Sequence, residues 1–314
     1  MPRSPVRRAS LPIMGAAGVM GLVVATTLVG SIVVLPPGPS PSQSPTPSEP
    51  AEPAILVGAG DIADCSSHAD TLTAELVAGT PGTVFTLGDN APIGRRKDYR
   101  VCYAETWGAD LDRTRPAVGN QDYVTNHGRA YYEYFGARAG TAGYYSYDVK
   151  KWHVVVLNSE CVEIGGCERE TAWLAADLAS HPSECTLAYW HRPLLSAAGT
   201  PDADDIRPFW EALYRAGAEL VLNGHFQAYQ RFEPLDPSLQ PDARFGIREI
   251  ISGTGGNQSM LLNTDTPHVE VQARAQGVVI LRLYPRRYEW EFVPIRGQSF
   301  RDSGRGECHG APPA

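Results

Sequence analysis

No basic stripe runs through this sequence. The formal net charge is −8 and the pI about 5.5, so the surface as a whole repels nucleic acid, which argues against a polyanion-binding role. A local metal site remains compatible with a small phosphate ester. No CxxC pair occurs among the six cysteines, which argues against a thiolate zinc site. No internal repeat is present, which excludes a repeat array. The one long apolar run near the N-terminus is not closed by a clean small-x-small cleavage site.

That run follows Arg3, Arg7 and Arg8 and is uncharged over residues 11–35. A basic segment before an apolar one is an export signal. At about 25 residues it is longer than a usual signal core and long enough to cross a bilayer. It therefore reads as an uncleaved anchor in preference to a removed signal peptide. Residues 1–10 would then stay cytoplasmic and the rest would face outward. Residues 36–53 are dense in Pro and Ser, cannot bury enough apolar area to fold, and read as an extended linker. The expected folded domain is 54–314. With 43% hydrophobic residues in the chain, it can hold one large core or two modest ones. Cys65, Cys102, Cys161, Cys167, Cys185 and Cys308 all lie in this exported part. Their even count in an oxidising compartment suggests three disulfides. Cys161 and Cys167 bracket a Gly-Gly loop and are the natural local pair.

From Ala54 the chain alternates short apolar runs with helix-like segments. Strands are expected at 54–59, 83–87, 116–118, 144–148, 152–158, 185–190 and 219–222, with helices at 69–78, 170–179 and 204–216. Further strands at 247–252, 278–283 and 288–293 lack intervening helices and suggest a second, mixed sheet. The pattern is that of an α/β protein: two mixed β-sheets packed face to face with helices outside. Five of the strands end in small or polar punctuation followed by a metal-capable side chain: Gly60-Asp61, Gly88-Asp89-Asn90, Gly119-Asn120, Trp190-His191 and Gly224-His225. Ligand sites collect at the carboxyl ends of strands in such sheets. One Gly-Asp is usually a turn and one His usually a bonded core or surface residue, but five in this kind of place are hard to read as turns.

In order, these motifs resemble the signature of calcineurin-like metallophosphoesterases, in the purple-acid-phosphatase branch. Asn223-Gly224-His225-Phe226-Gln227-Ala228-Tyr229-Gln230-Arg231 resembles that branch's Gly-His-x-His-x-Tyr-Glu-Arg segment. Gly119-Asn120-Gln121-Asp122 resembles its Gly-Asn-His-Asp/Glu strand end. The resemblance implies a four-layer α/β/β/α sandwich and a hydrolase for phosphate esters. In this family a pair of Fe, Mn or Zn ions clamps the phosphate and a metal-bound hydroxide attacks phosphorus. Asp89 would bridge the ions, Asn120, His191 and His225 would complete one site, and Asp61 would belong to the other.

The second of those sites departs from the family pattern. Pro92 stands where a tyrosine is expected, Gln227 where the second His is expected, and Ala63 where related enzymes carry a His. Gln227 would be a weak ligand, and Asp64 a substitute from a shifted position. One metal site is thus expected and the second is in question. Gln121 occupies the place of the His that protonates the leaving group, and an amide cannot do that near neutral pH. Arg192 beside His191 is either a forked phosphate donor or a salt-bridged arginine. His68, His127, His153, His181 and His309 lack a matching context and read as solvated or locally bonded. Gly253-Thr254-Gly255-Gly256 reads as a turn. Two expectations follow: an extracytoplasmic phosphoric-ester hydrolase, or a catalytically impaired module that binds metal or a phosphate ligand. A metal-free surface protein is a third, less consistent with the retained ligands. Metal identity, monoester or diester substrate and oligomeric state are not legible.

Overall fold

Residues alternate sides along a β-strand, so an apolar run with no polar alternation needs cover on both faces. Ala54–Ala59 (β1) meets that need: Leu56 faces Phe85, Leu187, Leu222 and Leu281, while Val57 and Ala59 face Val77, Tyr103, Trp107 and Phe135. Trp152–Val156 (β5) divides in the same way. Val154 and Val156 join the first cluster, and Val155 joins Leu174, Phe209, Trp210 and Leu213. The first cluster lies between two sheets and the other two lie under helices. The computed structural model describes residues 52–198, 204–256 and 260–313. The expected cytoplasmic segment and anchor, and all but the last two residues of the linker, lie outside them.

One sheet has six strands in the order β13-β12-β11-β1-β2-β3. Besides β1 these are Thr83–Leu87 (β2), Thr114–Ala117 (β3), Gly277–Tyr284 (β11), Arg287–Pro294 (β12) and Asp302–Glu307 (β13). The other has seven, in the order β10-β8-β9-β7-β6-β5-β4. They are Tyr145–Val149 (β4), β5, Cys185–Trp190 (β6), Leu220–Asn223 (β7), Tyr229–Phe232 (β8), Arg248–Ser252 (β9) and Val269–Ala273 (β10). The helices are Ala69–Ala78 (α1), Arg96–Asp98 (α2), Asn120–Tyr123 (α3), Arg129–Phe135 (α4), Glu168–Ser180 (α5) and Arg207–Ala216 (α6). This is the expected sandwich of two mixed sheets with helices outside. β1, β2 and β3 run parallel, as do β5, β6, β7 and β9.

The late strands do not form a sheet of their own, contrary to expectation. β11 takes the open edge of β1 antiparallel, Ala54 opposite Leu283, and β12 extends the first sheet from there. β9 instead joins the second sheet beside β7. Strands buried on both faces look alike in sequence, and the edge each one pairs with is set by which edge is open. β13 (DSGRGE) carries no apolar pattern. Its glycines lie on aromatic rings: a Cβ at Gly304 would sit 2.2 Å from Trp290, and at Gly306 2.4 Å from Tyr288. The expected helix at 204–216 begins with a tight turn, Asp204–Ile206, before α6. Three disulfides form: Cys161–Cys167 as expected, with Cys65–Cys102 and Cys185–Cys308. Among the described residues no helix is long and apolar enough to cross a membrane.

Two core carboxyls carry a pH signature. Glu249 is fully buried and accepts a hydrogen bond from the Leu194 amide at 3.1 Å. Burial pushes it up to about 8. Glu219, bonded by the Thr186 amide, is pushed up to about 8 for the same reason. A folded-state acid with a raised pKa keeps its proton where the unfolded chain has lost it. Stability is therefore full below the ordinary Glu value of 4.5 and falls as pH rises towards about 8. Urea denaturation across that window should show this decline, a smaller one in Glu249→Gln, and a smaller one still in the Glu219→Gln/Glu249→Gln double variant.

Candidate metal centre

Three of the five punctuated strand ends adopt backbone that side chains normally avoid. Asp61, Asp89 and His225 have φ of 55°, 50° and 69°. Left-handed backbone costs a non-glycine residue about 1–2 kcal/mol and persists only where surroundings enforce it. The enforcement is visible in cross-connections between loops. Asp61 N donates to Gly88 O at 3.0 Å, Ile62 N to Asp89 O at 3.0 Å, and Gly60 N to Ser252 O at 2.8 Å. Two glycines permit the close approach. A Cβ at Gly88 would lie 2.5 Å from His191 Nδ1, and one at Gly119 would lie 2.4 Å from Asp89 Oδ1.

Asn120, His191 and His225 converge. Asn120 Oδ1 is 3.0 Å from His191 Nε2 and 3.0 Å from His225 Nδ1, and the two ring nitrogens are 3.2 Å apart. Such a triangle has points about 2 Å from all three corners, the bond length of a transition-metal ligand. Asp89 Oδ1 approaches the group at 3.3 Å from His191 Nε2. The other nitrogen of His191 donates to Leu87 O at 2.7 Å, so the neutral ring turns its Nε2 lone pair into the group. Asp89 is held from behind by the Gln121 amide at 2.8 Å.

Burial alone would lower His191, but the charge of Asp89 and the hydrogen bond to it push it up to about 10. Burial and the charge of His191 press His225 down to about 3. Asp89 is raised by burial but held below the usual carboxylate range by His191 and the Gln121 amide. Asp61, raised by burial first and by Asp89 second, reaches about 7. Its Oδ2 accepts from His225 N at 2.8 Å, while its buried Oδ1 has no partner among the described residues. A buried carboxylate oxygen without a donor, next to a cluster of lone pairs, fits a divalent or trivalent cation.

No model of a known protein family matches the chain. It is 24% identical over 262 residues to purple acid phosphatase 15 of Arabidopsis thaliana, covering 69% of this chain and 48% of that protein. The chain thus spans about half the length of this curated relative. The structure of purple acid phosphatase PPD1 from yellow lupin (Lupinus luteus) superposes with a TM-score of 0.63 at 17% identity, covering 83% of this chain and 55% of that one. GAP50, the anchor in the inner membrane complex of Plasmodium, superposes with a TM-score of 0.64 at 12% identity, covering 83% and 90%. The fold is that of the calcineurin-like metallophosphoesterases, in purple-acid-phosphatase-like form.

Within this metallophosphoesterase fold, the remaining expected residues have specific places. The Gln227 side chain lies beside Asp61 and helps to hold its carboxyl down. Gln121 contributes its main-chain amide to Asp89. Arg192 is salt-bridged, its Nε 3.0 Å from the buried carboxylate of Glu160. Asp64 does not reach the group: it is spent on its own turn, bonded by Ser66 N at 3.0 Å.

Two residues had no role in the sequence reading. Glu160 clamps Arg192. Asp122, fully buried, accepts from Asn90 N at 3.0 Å, Gly119 N at 2.9 Å, Ala91 N at 3.2 Å and the Tyr99 hydroxyl at 2.6 Å. It ties the loop carrying Asp89 to the loop carrying Asn120. Its signal was the fourth position of Gly119-Asn120-Gln121-Asp122. Asp122→Ala leaves these donors buried and unpaired, at about 1–3 kcal/mol each. Chemical denaturation should show a loss of at least about 2 kcal/mol, larger than for the exposed control Asp112→Ala.

Proposed function

We propose that this protein is an extracytoplasmic metal-dependent phosphoric-ester hydrolase. The convergence of Asn120 Oδ1, His191 Nε2 and His225 Nδ1 within 3.2 Å of one another, with Asp89 beside them, carries the reading. Asp89, Asn120, His191 and His225 would hold one ion of the Fe, Mn or Zn type; Asp61, Asp89 and weakly Gln227 would hold a second. A bound ion at such a centre polarises a phosphoryl oxygen and makes water a better nucleophile. The chain's own residues orient and exclude. The Leu87 carbonyl fixes the His191 tautomer, the Gln121 amide fixes Asp89, and Arg192, its Nε gripped by Glu160, would offer its terminal nitrogens to phosphate oxygens. Gln121 has no proton to give the leaving group, so substrates with good leaving groups are favoured. Three disulfides, the Arg3–Arg7–Arg8 segment and the apolar run at 11–35 support export, with the folded part outside the membrane.

A second reading is a module that binds metal or a phosphorylated ligand without turnover. Gln121, Gln227 and Pro92 motivate it, and GAP50, with the same fold, is an anchor. The purified chain with added Mn²⁺, Fe or Zn²⁺ and nitrophenyl phosphate separates the two. The hydrolase reading expects turnover that falls about 10²-fold or more in Asp89→Ala. No turnover above that variant with any metal rules the reading out. Gln121→His supplies the missing acid and should raise turnover of an alkyl phosphate more than that of nitrophenyl phosphate, by up to about 10²-fold.

A further inference from the structure

Far from the centre just described, a second cluster joins the hairpin β4–β5 to the end of α5. His153 is buried near the start of β5, opposite Thr186 of β6, whereas His191 follows the other end of β6. The two groups thus sit at opposite edges of one sheet. His153 Nδ1 is 2.8 Å from Asp148 Oδ1, and His153 Nε2 is 2.8 Å from Asp177 Oδ2. A neutral imidazole carries one N–H. Whichever carboxylate takes it, the other ring nitrogen turns a lone pair towards a carboxylate oxygen. A cation resolves that conflict.

We infer that His153, Asp177 and His181 form a binding site for a divalent transition ion of the zinc type. Donor atoms of these three residues all lie within 4.8 Å of one another. Asp177 and His181 stand four apart, at the last turn and cap of α5, so they share one side of the helix. The His181 ring stacks on that of His153 with centroids 4.9 Å apart, and its Nδ1 is 3.2 Å from Asp177 Oδ1. Two imidazoles and one carboxylate are a zinc-type donor set with room for a water. Asp148 supplies the carboxylate behind the ligating imidazole that such sites commonly have. Ser146 Oγ donates to Asp177 Oδ1 at 2.8 Å and holds that side chain in place. The carbonyl-rich end of α5 adds negative potential. His153 and Asp177 are nearly enclosed while His181 is 48% exposed, so an ion has an entry side; the His181 Nδ1, 2.9 Å from the Asp177 carbonyl and 3.2 Å from Ser180 Oγ, would exchange those contacts for it. Bound there, the ion pins the hairpin to the helix and takes no part in ester hydrolysis.

The full chain, stripped with chelator and titrated with Zn²⁺, tests this. Bound zinc per chain is counted by elemental analysis after gel filtration, with circular dichroism as the check on folding. His191→Ala disables the candidate metallophosphoesterase centre, so zinc it retains reports on this site. His181→Ala, a half-exposed change, should bind one zinc fewer than the parent, and combined with His191→Ala it should lose the zinc-dependent rise in Tm that His191→Ala alone keeps. The exposed Asp148→Asn should weaken the same site about 10–100-fold. Both should keep whatever nitrophenyl phosphate turnover the parent has. If His181→Ala binds as much zinc as the parent with the same affinity, a proton and not a metal sits between His153 and Asp177, and the proposal is overturned. That result would leave the hydrolase reading untouched, because it turns on other residues and another assay.

Discussion

The hydrogen bond from His191 Nδ1 to the Leu87 carbonyl, 2.7 Å long and fully buried, joins the end of β6 in one sheet to the end of β2 in the other. Much of the centre depends on it. It sets which ring nitrogen keeps its lone pair, and with the Gly60 N–Ser252 O and Tyr189 hydroxyl–Arg115 O bonds it registers two sheets that pack mainly through apolar side chains. Sheet packing is tolerant, since interdigitated leucines and valines specify a spacing of about 10 Å but a loose relative slide. A directional bond between the layers removes that slack where donor atoms must agree within a few tenths of an ångström.

Around this bond the molecule accepts several local costs. Three side-chain-bearing residues adopt left-handed backbone at the edge. Asp61 and Asp122 are carboxyls taken out of water, the first raised to about 7 and the second to about 6, chiefly by burial. Asp122 recovers part of its cost through the donors it gathers, and so becomes the structural hub of the Asp89 and Asn120 loops. Asp61 has the His225 amide on one oxygen only, and its bare Oδ1 is the best sign in the fold that something positive belongs beside it. The ample cores on either side of both sheets, built from residues such as Trp107, Trp190 and Trp210, can carry such strain.

Much of the architecture was legible in the sequence, for identifiable reasons. β1, β2 and β6 have the expected bounds because a continuous apolar run closed by a glycine or histidine has one reading. β8, β10 and β13 were not legible. β10 and β13 are polar edge strands and β8 a four-residue strand between β10 and β9, and their stability comes from pairing and, at β13, from rings pressed on glycines, not from their own pattern. At the centre, the convergence of Asn120, His191 and His225 with Asp89 beside them was legible, because strand-end punctuation is local. Glu160 was not, because its meaning lies in a contact with Arg192 more than thirty positions away.

The chain's own order of residues determined the buried strands β1, β2 and β6, the three longest helices, the short-range disulfide, and the kinds of donor available at each strand end. These follow from neighbours a few positions apart, where periodicity and turn chemistry act. Only the tertiary structure decided that β11 rather than β9 lies beside β1, that Gln121 serves through its amide, and that His153 sits between two carboxylates. Each of those is a matter of which groups meet across space. Hydrophobic pattern states that a surface must be covered, but directional contacts between distant segments determine by what.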